Sequence, residues 1–290
     1  MFAFGGLLLL TLALVLMGCE SIDFESTELP EDTIPRIDLD VSGALAEAER
    51  AVEEERYSDA YILLGRVLRQ DPTNQKANLI FAELNLMSGN IKPAAAAFIQ
   101  LEDVPEYETV ALQGVGITAL LEGELEIAEK ALLKAVEKDP SLGRAWNALG
   151  VYYDSQGDWK SSEEAYRKAL GTDPKSSMFH NNYGYSLLVQ GRFSEAQEHF
   201  TRALKLDPDY VVARFNLRVA LAWQGHYREA VYGADPADAP TVYNNVGYVA
   251  MLRGDYQVAE GYLASAMDAS PSFNETAWKN LQYLKYLRGK

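Results

Sequence analysis

Glycines recur at one fixed interval through the middle of this chain. Gly89, Gly123, Gly157, Gly191 and Gly225 each stand 34 residues after the last, and Glu55 occupies the same phase one step earlier. Seventeen residues after four of these marks lie Pro72, Pro140, Pro174 and Pro208, each preceded by Asp. One further step gives Gly254 and Pro271, with the interval shortened to 29 residues. A period of about 20–50 residues is the signature of an array of like units. Glycine closes a helix because it accepts left-handed backbone, and proline cannot continue one. Each period therefore reads as helix, turn, helix, stop. A unit of that size cannot bury its apolar face alone, so stacked units share one continuous core.

The positions between the marks carry large and small residues at helical spacing. In the fourth unit Trp146, Leu149, Gly150 and Tyr153 share one helix, and Tyr166 and Ala169 the next. In the fifth, Leu187 precedes the turn Gly191-Arg192-Phe193, followed by Ala196, Phe200, Ala203 and Pro208. Small residues such as Gly150, Gly184 and Gly247 let paired helices approach closely. This resembles the tetratricopeptide-repeat (TPR) pattern over roughly residues 42 to 271. The fold expected is all-α, a right-handed superhelical α-solenoid of about seven helix pairs plus a C-terminal capping helix. The array is expected over 41–271 and the cap over 272–290, its helix running from about Phe273 to Leu287, with Lys279, Lys285, Arg288 and Lys290 on its solvated side. Two units depart from the pattern. Pro93 falls in the first turn of the second unit's second helix, where proline is tolerated, and Pro105 stands where Asp-Pro is missing. In the sixth unit the second helix is expected to shorten to about His226 to Ala234 before the run DPADAP.

The first eighteen residues contain no charged side chain and are apolar from Leu7 to Met17. That is the composition of an export signal, and it falls short of the about 20 apolar residues of a membrane span. Leu16-Met17-Gly18-Cys19 follows and resembles the lipobox of bacterial lipoproteins, which implies cleavage after 1–18 and acylation of Cys19. The alternative is a cleaved signal or a short uncleaved anchor with an incidental cysteine. Cys19 is the sole cysteine, so no disulfide forms within one molecule. Residues 19–40 are acidic, contain two prolines and lack helical periodicity, and they read as a tether. By resemblance to enteric lipoproteins, Glu20 after the cysteine favours the outer membrane, facing the periplasm.

Chemistry of an enzymatic kind has little to rest on. The chain carries formal net charge -16, which disfavours nucleic acid as a partner. Its three histidines, His180, His199 and His226, offer no i, i+4 pair of the kind a helical metal site uses. Gly114-Val115-Gly116 lies within a helix with no strand before it and is no phosphate loop. No cofactor, metal or small-molecule substrate is expected.

The TPR resemblance implies that first helices line a groove. With the turn glycine as repeat position 15, groove positions are 2, 5, 9, 12 and 13. Asn147, Asn181 and Asn244 then share position 5, where an amide can pair with the backbone of an extended peptide. Tyr185 and Tyr248 share position 9, and Phe215 and Trp223 fall in groove phase in the sixth unit; aromatic side chains anchor many interfaces. These seven residues form the expected peptide-binding groove. Leu188, Val189 and Leu252 are also in phase and read more simply as core. Only Lys76 and Arg144 add positive charge, which disfavours a clamp for an acidic C-terminus.

The segment from Tyr243, with Asn244-Asn245-Val246-Gly247-Tyr248, Leu252-Arg253-Gly254-Asp255 and Ala269-Ser270-Pro271-Ser272, resembles the last repeat of TadD-type lipoproteins of tight-adherence (Flp) pilus systems. That resemblance implies a pilotin-like role, in which an outer-membrane lipoprotein binds a secretin or another pilus-assembly component. The alternative is an adaptor for cell-wall hydrolases or for another outer-membrane assembly machine.

Overall fold

A computed structural model describes residues 40–289, which contain fifteen α-helices and no strand. The export signal, Cys19 and the tether up to residue 39 lie outside the described residues. The described chain divides into two compact units, the first ending at Pro174 and the second beginning at Lys175.

Unit one holds four helix pairs: α1 (Val41–Glu53) with α2 (Tyr57–Gln70), α3 (Gln75–Met87) with α4 (Ile91–Ile99), α5 (Glu108–Glu122) with α6 (Leu125–Lys138), and α7 (Gly143–Gln156) with α8 (Trp159–Thr172). Unit two holds three: α9 (Ser177–Val189) with α10 (Phe193–Leu206), α11 (Val211–Trp223) with α12 (Tyr227–Val231), and α13 (Ala239–Leu252) with α14 (Tyr256–Asp268). The last helix among the described residues is α15 (Glu275–Arg288), a closing helix packed on α14 and α13. Seven pairs and a closing helix is the α-solenoid expected from the 34-residue period.

Every turn within a pair is built alike. The six turn glycines adopt φ between 72° and 84°, and the residue after each donates its N–H to a carbonyl five residues back, as Glu124 does to Ala119 at 2.8 Å. This pattern caps the orphan carbonyls at the end of the first helix. Glu55 keeps the same conformation at φ 58° with a side chain in the way, and Arg56 still bonds to Ala51 at 2.7 Å. After the second helix, the Asp of three Asp-Pro stops folds back on the chain: Thr73 N donates to Asp71 Oδ1 at 3.1 Å, Ser141 N to Asp139 Oδ1 at 2.9 Å, and Asp209 N to Asp207 Oδ1 at 3.1 Å. The next first helix closes over that turn. Asn78, Trp146 and Arg214, all at position 4, donate side-chain N–H groups to the carbonyls of Pro72, Pro140 and Pro208.

Pairs are held by close approach at position 8. A Cβ on Gly150 would lie 2.6 Å from the Tyr166 ring, and one on Gly247 would lie 2.8 Å from Leu263 Cγ and 3.0 Å from its backbone N. Tyr166, Phe200, Leu149 and Leu263 are fully enclosed as a result. Each such side chain contributes roughly 1.5–3 kcal/mol relative to exposure.

Repeat six breaks this rule, and its second helix is shorter than the sequence suggests. α12 spans only Tyr227–Val231, against the expected end near Ala234. The reason sits at position 8, where the other repeats have Ala48, Ala82, Gly116, Gly150, Gly184 or Gly247 and this one has Arg218. A guanidinium cannot fit beneath a closely packed second helix. Arg218 Nη1 instead donates to the carbonyl oxygens of Ala230 at 2.6 Å and Tyr232 at 3.1 Å, capping the truncated helix. Burial, with Arg214 adding to it, pulls the Arg218 pKa down from its ordinary value.

Candidate functional site

In unit two the first helices α9, α11, α13 and α15 pack side by side, so their outward positions form one continuous face. At groove phase the first three of these helices carry no charge: Met178, Tyr185 and Val189 on α9, Val212, Phe215 and Trp223 on α11, and Thr241, Tyr248 and Leu252 on α13. Thr241 and Leu252 are exposed, Leu252 by 44%, and the other seven are half-buried. Met251 and Ala222, also in groove phase, are buried.

The amides at position 5 are placed differently from expectation. Asn147 is 2% exposed and Asn181 fully buried, so neither stands open in a groove. Asn181 Oδ1 accepts from Asn216 Nδ2 of the next first helix at 3.0 Å, and Asn181 Nδ2 donates to Asn182 Oδ1 at 3.2 Å. Asn244 is half-buried, and its Oδ1 accepts from Asn280 Nδ2 on α15 at 2.9 Å. Gln113, at position 5 in the third repeat, accepts from the Ala145 N–H at 3.1 Å. Position 5 thus ties α5 to α7, α9 to α11 and α13 to α15. A buried amide left unpaired costs about 1–3 kcal/mol, which is why both partners are polar.

The aromatics keep part of their surface outward. Trp223 stacks on Phe193 with ring centroids 5.2 Å apart and planes 5° from parallel. Phe215 and Trp223 rest on a cluster of Leu221, Val242, Val246 and Val249, and Tyr248 on Met251 and Leu284. Arg253 joins the turns of repeats six and seven. It donates to the Trp223 carbonyl and to Tyr227 Oη at 2.9 Å, and Tyr227 Oη in turn donates to Asp255. Tyr227 draws the Asp255 carboxyl below its usual range, first through that hydrogen bond and further through Arg253.

In unit one the two basic residues in groove phase are already paired, Lys76 with Glu49 and Arg144 with Glu83, each at 2.9 Å. Arg144 and Lys76 are therefore internal ties between repeats. Among the described residues no group of three or more His, Cys, Asp or Glu side chains is arranged to hold a metal, and no helix is long and apolar enough to cross a membrane.

A juxtaposition missed in the sequence lies in repeat five. His180 on α9 and His199 on α10, 19 residues apart, bring their Nδ1 atoms to 3.1 Å. Tyr183 lies against the His199 ring with centroids 4.4 Å apart. Burial, assisted by His180, holds the His199 pKa down at about 4, so it is neutral at pH 7. The sequence signal for this pair exists only once the helices are aligned by repeat phase.

Tetratricopeptide-repeat family models match residues 51–104, 116–177 and 177–210. No curated protein matches the chain. Among solved structures, a tetratricopeptide-repeat protein of Thermus thermophilus superposes with TM-score 0.55 at 20% identity, covering 62% of this chain and 98% of its own. One from Parabacteroides merdae gives TM-score 0.55 at 13% identity, covering 84% and 98%. YrrB, described as a TPR protein with an unusual peptide-binding site, gives TM-score 0.50 at 22% identity, covering 65% and 100%. These likenesses establish the fold.

Proposed function

The chain is a tetratricopeptide-repeat protein, and on that premise we propose that it is a non-catalytic scaffold of the cell envelope that holds a segment of a partner protein along the first-helix face of unit two. The observation that carries this reading is the uncharged strip running through Tyr185, Phe215, Trp223 and Tyr248, half-buried on three adjoining helices in a chain of net charge -16. Apolar patches of that kind on soluble proteins are commonly covered by partners. The occupant it suits is an extended or helical segment with apolar side chains at intervals. YrrB, which shares the fold, is described with a peptide-binding site of its own.

Two sequence features extend the proposal. Leu16-Met17-Gly18-Cys19 supports acylation of Cys19 and attachment to the outer membrane, facing the periplasm. Two or three acyl chains make such an anchor firm, since each buried methylene contributes about 0.8 kcal/mol. The TadD-like segment from Tyr243 supports a pilotin-like role, with a secretin or another pilus-assembly component as the partner.

The test is affinity capture from an envelope extract of the native organism, with the chain from Asp40 onward as bait. Recovery of a secretin that is lost on changing Tyr185, Phe215 and Tyr248 to Ala, at unchanged helicity, supports both site and partner. Capture of a cell-wall hydrolase through the same residues moves the scaffold to a different machine. Undiminished capture by the triple variant places the site elsewhere.

A further inference from the structure

We propose that His180 and His199 form a two-imidazole site for a borderline divalent transition cation, Cu2+, Ni2+ or Zn2+, bridging the two helices of repeat five. The two Nδ1 atoms stand 3.1 Å apart. A cation bound at about 2.0–2.1 Å by two adjacent nitrogens needs them about 2.9 Å apart in square-planar geometry and about 3.4 Å apart in tetrahedral geometry. The observed separation lies between these bites, so either geometry is reached by a shift of a few tenths of an ångström. Both rings are mounted on helices, and Gly184 lets those helices approach: a Cβ there would lie 3.1 Å from His199 Cβ and 2.8 Å from the Phe200 ring. The site is thereby preorganised before any ion arrives.

Metal binding replaces one hydrogen bond. In the metal-free pair one Nδ1–H donates to the other Nδ1. When a cation binds, both Nδ1 lone pairs are donated to it, and the proton of the former donor moves to its own Nε2 through solvent. Both imidazoles are partly exposed, so water fills the remaining coordination positions. Arg192 and Glu195, the charged side chains that act on His199, pair with each other at 2.8 Å. Imidazole selects Cu2+, Ni2+ and Zn2+ over Ca2+ and Mg2+, and the expected order places Cu2+ tightest.

The experiment is titration of the full chain with Cu2+ and, separately, Zn2+, by calorimetry, with electron paramagnetic resonance of the Cu2+ sample. The expected result is one Cu2+ per chain with two imidazole nitrogens in the spectrum. Affinity should fall roughly tenfold or more in His180→Ala and in His199→Ala and stay unchanged in His226→Ala. Far-UV circular dichroism checks that the variants remain helical, and the two-nitrogen spectrum of the unaltered chain needs no variant. A spectrum with one imidazole or none overturns the proposal, as does a site that survives in the His180→Ala/His199→Ala double variant. The outcome is independent of whether a partner binds the first-helix face.

Discussion

Two glycines in the same helix pair should respond oppositely to the same substitution. Gly247 on α13 faces α14, where a Cβ would lie 2.8 Å from Leu263 Cγ and 3.0 Å from the Leu263 backbone N. Leu263 is fully buried, so it cannot swing aside, and the backbone contact can be relieved only by parting the helices by several tenths of an ångström. Overpacking of this sort costs about 1–3 kcal/mol, and the rigid contact puts it near the top of that range. Alanine returns about 1 kcal/mol of helix propensity, leaving a net loss of about 1–2 kcal/mol for Gly247→Ala. Gly261, on α14, has nothing within 4 Å of an added Cβ. There only the propensity acts, and Gly261→Ala should gain about 0.5–1 kcal/mol. Urea unfolding followed by circular dichroism measures both, with amide exchange of α13 and α14 to localise the change, because repeat arrays need not unfold in one step. A Gly247→Ala protein as stable as the parent would refute the claim that position 8 sets the distance between paired helices.

Glu55 is the one turn residue other than glycine, at φ 58°. Left-handed backbone costs a side-chain-bearing residue about 1–2 kcal/mol, so Glu55→Gly should add to stability the part that glycine's greater chain entropy does not offset, about 0.5–1 kcal/mol, and raise the thermal midpoint. A lower midpoint would mean that the Glu55 side chain holds the turn. For pH dependence, hydrogen bonds from Lys138 and Lys134 draw the Glu108 carboxyl below 4.5, and those from Ser161 and Ser141 draw Asp158 and Asp139 below 3.8. A carboxylate more acidic in the folded chain stabilises it above the unfolded pKa, and that contribution is lost as pH falls through the folded one. Stability should therefore decline below about pH 4.5, and Glu108→Gln should flatten the acid limb of the urea midpoint relative to the parent. Equal acid limbs in the two proteins would remove Glu108 from the account. The comparison must be a difference, since protonation also relieves repulsion in a chain of net charge -16.

The helix pairs, their turns and the closing helix are all legible in the order of residues. Gly123, Gly157 and Gly191 announce the left-handed turn, and Asp139-Pro140 the folded-back stop, because each of these is decided by backbone preferences within a few residues. Position 8 was legible as a place of close approach at Gly150, Gly184 and Gly247. The consequence of Arg218 at the same phase was less so, since it depends on where a long side chain finds acceptors. It found them on Ala230 and Tyr232, twelve and fourteen residues on, and α12 stops there.

The candidate site shows the same division. Groove phase, taken from the TPR resemblance, points to the half-buried aromatics Tyr185, Phe215, Trp223 and Tyr248, which lie on three adjoining first helices. It misplaced Asn147 and Asn181, which are buried, the latter tied to Asn216 across 35 residues of chain. It passed over His180 and His199, read as isolated residues and found with their rings in contact. Sequence by itself determined the period, the paired helices and the chemical character of each face, all of which arise from local periodicity. Which polar groups are used up between helices and which stay available was decided by tertiary structure. That depends on distances of a few tenths of an ångström between side chains remote in the chain, and only the packed helices set those distances.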